Sequence, residues 1–170
     1  MKVLLLNGSP RKNGCTYTAL NVVADALKAE GIDAEVFQAG DPDMENVKAA
    51  AAKLKDSDAL VVGSPVYWAS PSGQIIEFMD RLASVAGKDM LYKPAAAVAS
   101  ARRAGTTATL DVLTKYFSYH QMPVVSSCYW NMVHGNTPEE VMKDEEGVQI
   151  MRVLGKNMAW LLKCIEAGKK

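Results

Sequence analysis

Val3-Leu4-Leu5-Leu6-Asn7-Gly8-Ser9-Pro10-Arg11-Lys12-Asn13-Gly14-Cys15-Thr16 passes from a solid aliphatic run through a polar, glycine-punctuated turn into an amphipathic segment. The aliphatic run has the pattern of a strand buried on both faces, as in a parallel sheet covered by helices. Beyond the turn, Leu20, Val23, Ala24 and Leu27 recur at helical spacing, so a helix is expected from about Thr16 to Glu30, stopped by Gly31. Strand, turn and helix in that order form the opening half of a βαβ unit.

The same alternation continues along the chain. Ala34–Phe37 reads as an edge-like second strand, and Val47, Ala50, Ala51 and Leu54 repeat the helical period. Asp58–Gly63 is the clearest central strand. Pro71 between Ser70 and Ser72 marks a helix start, since serine caps and proline fits the first turn. That helix carries Ile75, Met79, Leu82 and Ala83. Pro94–Ala101 is a fourth strand of small residues, Leu110, Leu113 and Phe117 mark a fourth helix, and Val124-Val125 suggests a short fifth strand. A polar loop around Gly135–Pro138 precedes a long final helix with Leu154, Met158, Leu161, Leu162 and Ile165. Strands alternating with helices predict an α/β, doubly wound parallel sheet of five strands with helices on both faces and right-handed crossovers. No linker or internal repeat interrupts residues 1–170, which are read as one domain.

Composition bounds the function. The chain has 170 residues, 49% hydrophobic and 22% charged, with 19 Lys+Arg balancing 19 Asp+Glu. Such a composition excludes disorder. Zero net charge argues against a nucleic-acid partner, which needs a basic footprint. No stretch approaches the roughly 20 apolar residues of a membrane span, and the opening apolar run is too short for a signal-peptide core of about 7–15 residues. A cytoplasmic location is expected. Cys15, Cys128 and Cys164 are an odd, dispersed set without a CxxC pair, so neither a disulfide framework nor a metal site is expected.

In a doubly wound sheet, ligands sit beyond the carboxyl ends of the strands, which directs attention to three loops. The first, Gly8–Thr16, gathers hydroxyls, backbone N–H groups and a guanidinium at the positive end of a helix dipole, an arrangement suited to a phosphate. Arg11 can add a charge-assisted contact, and Ser9 and Thr16 can donate hydroxyl hydrogen bonds. Other phosphate signatures fail. A P-loop requires a second glycine where Asn13 stands and a lysine after Gly14, where Cys15 stands. A GxGxxG turn is broken by Ser9-Pro10. A cysteine-phosphatase spacing would need arginine at positions held by Asn21, His134 and Lys170.

The second loop, Gly63-Ser64-Pro65-Val66-Tyr67-Trp68-Ala69-Ser70-Pro71, sets two adjacent aromatics in a proline-stiffened backbone. Such a loop suits a flat ligand with an apolar face and a polar edge, although Tyr67 and Trp68 can equally fill the core or a subunit contact. The third, Ser100-Ala101-Arg102-Arg103-Ala104-Gly105, opens the next helix with small residues that allow close approach and arginines that can meet a pyrimidine edge or a second substrate's phosphate, or simply form a solvated, charged helix start. A phosphate nest beside an aromatic platform fits a mononucleotide with a planar head, and FMN meets both requirements.

Gly8-Ser9-Pro10-Arg11 with Gly14-Cys15-Thr16, followed by Gly63–Trp68, resembles the NADPH-dependent FMN reductase family of flavodoxin-like proteins. The resemblance implies strand order 2-1-3-4-5, non-covalent FMN, and a dimer or tetramer with the flavin near the subunit interface. By position it implies that Ser9, Arg11, Asn13, Gly14, Cys15 and Thr16 surround the phosphate. Pro65, Val66, Tyr67 and Trp68 would border the ring, with Ser100, Ala101, Arg102 and Gly105 as the third side. The iron–sulfur flavoprotein branch is similar, but its compact cysteine cluster between strands two and three has no counterpart here. Tyr129, Trp130 and Met132 resemble a segment of cluster-free relatives, where they would cover a neighbour's flavin, although local packing under a long loop accounts for them equally well. The expected activity is transfer of reducing equivalents from NAD(P)H through FMN to a quinone or other small acceptor, with no side chain required as catalytic acid or base. A flavodoxin-like electron carrier is the alternative, and a flavin-binding sensor or scaffold a third. Zero net charge gives a carrier little docking field. His120 and His134 lie outside any metal or triad pattern, His134 being the better placed to face a substrate.

Overall fold

The computed structural model describes residues 1–169. Its elements are β1 (Lys2–Asn7), α1 (Cys15–Ala29), β2 (Asp33–Gln38), α2 (Met44–Lys55), β3 (Ala59–Tyr67), β4 (Ser70–Pro71), α3 (Gly73–Met90), β5 (Ala95–Ala101), α4 (Thr106–Tyr119), β6 (Met132–His134), α5 (Pro138–Lys143) and α6 (Glu145–Gly168). The parallel strands lie in the order β2-β1-β3-β5-β6, while the two-residue β4 folds back antiparallel on β3. Counting the parallel strands alone, this is the flavodoxin-like order, which reverses between β1 and β3.

Alternation of side chains along the strands divides the core. Val3, Leu5, Val61, Val98 and Val133 face α1 and α6, where Leu20, Val23, Leu27, Met151, Leu154 and Met158 are buried. Leu4, Leu6, Leu60 and Val62 face α2, α3 and α4, through Leu54, Phe78, Met79, Leu113 and Phe117. Leu4, Leu5 and Leu6 are all fully buried, which explains why β1 reads as an unbroken apolar run. Truncating one of them to alanine would cost about 2–5 kcal/mol in lost burial and residual cavity. No helix among the described residues is long and apolar enough to cross a membrane.

Four details differ from the sequence-based expectation. The fifth strand is Met132–His134, paired with Ala99–Ala101, whereas Val124 contributes one isolated bridge to Ala95. Asn131 decides the register: its side chain donates to the Ala97 carbonyl and its carbonyl accepts from Ala99 N–H. The third strand does not end at Gly63 but runs on to Tyr67, so the aromatic motif is half of a hairpin and not a free loop. Ser72, one residue past Pro71, caps α3. The polar stretch after Gly135 contains a further short helix, α5, entered by Thr137 as cap and Pro138 in the first turn.

Candidate functional site

Register brings the three loops together. β1 pairs Asn7 with Gly63, β3 pairs Pro65 with Ser100, and β5 pairs Ala101 with His134. A cleft of about 230 Å³ opens over these strand ends, lined by Ser9, Arg11, Cys15, Thr16, Pro65, Val66, Tyr67, Ser100, Ala101, Arg102, Gly135 and Asn136. Larger grooves of about 680 and 770 Å³ run between α3 and α4. They lie on the outer helix surfaces, away from the strand ends and helix starts that hold an anionic ligand in this architecture.

Helix capping distinguishes the cleft chemically. α2, α3, α5 and α6 begin under side-chain caps from Asp43, Ser72, Thr137 and Asp144. α1 and α4 begin at Gly14 and Gly105 with no side-chain cap and no acidic residue in the first turn. The first N–H groups of a helix are otherwise orphaned and carry the positive end of its dipole. α1 starts in the wall of the cleft, at Cys15 and Thr16, and α4 follows the lining residues Ser100, Ala101 and Arg102; Arg11 and Arg102 add charge, and no carboxylate is among the lining residues. Donors without built-in acceptors fit a phosphate and the carbonyl-rich edge of a flavin.

Within the cleft the hydroxyls are partly committed. Ser9 Oγ accepts from Arg11 N–H at 3.1 Å, and Thr16 and Ser100 share a hydrogen bond of 2.7 Å. Cys15 Sγ donates to the Gly135 carbonyl at 3.6 Å, tying the start of α1 to the loop after β6. Burial pushes the Cys15 thiol above its ordinary pKa, partly offset by the Arg11 charge. Asn136 donates from its backbone and side-chain nitrogens to Glu140 Oε2, at 2.7 and 3.0 Å, which holds the Glu140 carboxyl below its ordinary range.

Ten of the expected residues line the cleft: Ser9, Arg11, Cys15, Thr16, Pro65, Val66, Tyr67, Ser100, Ala101 and Arg102. Asn13 and Gly14 end the first loop without lining the cleft, Asn13 exposed and Gly14 buried. Gly105 shapes the third side without lining it. Its φ of +103° suits glycine, and a Cβ there would come within 2.7 Å of Ala69 Cα. Trp68 is not brought in. It stands fully exposed at the tip of the β3–β4 hairpin, where it and Ala69 have φ of 53° and 58°.

Met132 is buried within its own chain, and its sulfur accepts from Thr106 Oγ1. Tyr129 and Trp130 remain exposed, edge to face at 4.8 Å. His120 closes the end of α4, its Nδ1 donating to Tyr116 O at 2.7 Å. His134 lies 3.9 Å from the Asp144 carboxylate at the rim of the β6 loop. Sequence reasoning missed Gly135 and Asn136. Their Gly-Asn signature was visible, but only the true position of β6 carries them to the strand ends.

Residues 1–137 match the NADPH-dependent FMN reductase family. Along nearly its whole length the chain is similar to an iron–sulfur flavoprotein of Methanocaldococcus jannaschii, with 29% identity over 98% of this chain and all of the relative. It is also similar to an NADPH azoreductase of a Bacillus strain, 30% identical over 59% of each chain. Among solved structures, the NAD(P)H:(acceptor) oxidoreductase FerB of Paracoccus denitrificans superimposes with a TM-score of 0.76, at 16% identity over 96% of this chain and 97% of that one.

Proposed function

The chain belongs to the NADPH-dependent FMN reductase family, a flavin oxidoreductase with FMN as its cofactor, and on that footing we propose that it passes reducing equivalents from NAD(P)H to a quinone or another small acceptor. The observation carrying this reading is the uncapped start of α1 in the wall of a cleft that Arg11 and Arg102 also line, with the uncapped start of α4 a few residues beyond Arg102. In this reading Ser9, Arg11 and the first N–H groups of α1, around Asn13–Thr16, bind the phosphate. Pro65, Val66 and Tyr67 border the ring, with Trp68 beyond them at the rim. Ser100, Ala101, Arg102 and Gly105 close the third side and exclude water from the ring edge.

Bound FMN supplies the ability to take up two electrons and release them singly or together. The protein's residues bind and orient, and none acts as nucleophile or general base. The cleft of one chain is smaller than the roughly 300–1,000 Å³ of common small-molecule sites. The ring is therefore left partly open to NAD(P)H and to a second copy of the chain, in a dimer or tetramer. We place residues 1–170 in one FMN-binding unit that works on the cytoplasmic nucleotide pool.

The test is spectroscopic and kinetic. Purified protein should carry a flavin absorption spectrum that bleaches on anaerobic titration with NADPH, and should oxidise NADPH steadily once a quinone is added. Protein that is colourless and refuses FMN overturns the reading. Holoprotein that no pyridine nucleotide reduces, but a protein donor does, is an electron carrier instead.

A further inference from the structure

We infer that Gln38, at the end of β2 and outside the cleft, is a positioning residue that sets the phosphate selectivity of the first loop from the neighbouring strand. The inference rests on the placement of the FMN phosphate at Ser9–Thr16 proposed above. Asn7, fully buried at the end of β1, accepts the Ser9 N–H at 3.2 Å. Its amide nitrogen donates to the Lys12 carbonyl at 3.2 Å and, at 3.4 Å, to that of Arg11. Gln38 completes this bracing with both ends of its own amide. Its Oε1 accepts from Asn7 Nδ2 at 2.7 Å and its Nε2 donates to the Ser9 carbonyl at 2.6 Å.

Three carbonyls of the loop, those of Ser9, Arg11 and Lys12, are thus engaged by two side-chain amides. A carbonyl oxygen turned toward an anion repels it, so holding these three on the strand side favours a loop whose N–H groups serve the ligand. The brace is itself anchored, since Asn46 of α2 donates to the Gln38 carbonyl at 3.0 Å and to that of Asp41 at 2.8 Å. Gly40 then lets the chain pass against the loop. A Cβ there would lie 2.0 Å from the Ser9 carbonyl oxygen and 2.7 Å from Gln38 Nε2. Neither residue needs to touch the ligand; together they prepay the ordering of the loop that binding would otherwise cost.

The test compares FMN with riboflavin, which shares the ring and sugar chain but lacks the phosphate. Dissociation constants for both are measured by flavin fluorescence on the full-length apoprotein, with Gln38→Leu and Gly40→Ala beside the wild type. The wild type should prefer FMN. In each variant that preference should shrink by about tenfold, equivalent to roughly 1.4 kcal/mol, while riboflavin affinity stays unchanged. A variant that melts at lower temperature but keeps the wild-type preference overturns the inference, because a merely structural role leaves the ratio intact. If Gln38→Leu fails to fold, Gly40→Ala decides alone. A wild type with no preference for FMN overturns the phosphate placement, and the inference with it.

Discussion

Thr16 and Ser100, both buried, face each other across the floor of the cleft with their hydroxyl oxygens 2.7 Å apart. The bond ties the first turn of α1 to the end of β5, two segments 84 residues apart in the chain. Replacing Thr16 by valine keeps the shape but strands the Ser100 hydroxyl in the interior, at a cost of about 1–3 kcal/mol. The double variant Thr16→Val/Ser100→Ala should cost less than the sum of the single ones. Urea unfolding of the four proteins measures the coupling, and strict additivity would show that the bond contributes nothing.

Arg11→Ala should weaken FMN binding by about 1.5–3 kcal/mol, the range of a charge-assisted hydrogen bond. Because Arg11 is exposed, the melting temperature of the apoprotein should barely move. Equilibrium fluorescence titration checks the first statement and calorimetry of the apoprotein the second. Unchanged FMN affinity would remove Arg11 from the phosphate site.

Ala69→Gly should stabilise the protein. A two-residue hairpin turn with positive φ at both central positions is the arrangement that favours Asn-Gly, yet Trp68 and Ala69 occupy it. Relief of about 1 kcal/mol at one position corresponds to a rise of roughly 2–4 °C in melting temperature for a chain of this size. A lower melting point would mean that the Ala69 methyl group contributes more through packing than its backbone loses through strain.

Acid should erode stability partly through Glu35. Lys53 first, and then Lys2, hold its carboxyl below the ordinary glutamate value, with ion pairs at 2.6 and 3.0 Å. A carboxylate whose pKa is depressed by folding stabilises the native state above its unfolded pKa of about 4.3, and that contribution fades as pH falls through the folded value. Glu35→Gln should therefore lose stability at pH 7 and show a shallower decline between neutral and acid pH. Screening by 1 M salt should narrow the difference, since the pair is partly exposed. Urea midpoints across the pH series give the answer.

Thiol labelling should report on the cleft. Cys128 and Cys164 are exposed, whereas Cys15 is partly buried, bonded to the Gly135 carbonyl and raised in pKa by burial. Since the thiolate is the nucleophile, iodoacetamide near neutral pH should modify Cys128 and Cys164 well before Cys15. Bound FMN should slow Cys15 further and leave the other two untouched. Peptide mass analysis over time resolves the three rates.

Sequence alone determined the layered α/β architecture, because strands buried on both faces must be continuously apolar and amphipathic helices must repeat their apolar residues every three to four positions. Val3–Leu6 and the spacing of Leu20, Val23 and Leu27 carry that information locally. The two motifs that resemble a flavin-binding family were equally legible, since their chemistry lies in consecutive residues. Tertiary structure alone decided what distant segments do to one another. Asn131 bonding to β5 moves the fifth strand to Met132–His134 and delivers Gly135 and Asn136 to the cleft. The hairpin fold-back sends Trp68 into solvent from a turn whose positive φ nothing in its residue types announces. Gln38 meets Ser9 across 29 residues of chain. Patterning along a chain encodes which face is apolar, whereas the partner of a polar side chain depends on sheet register, which is settled only when the whole core packs.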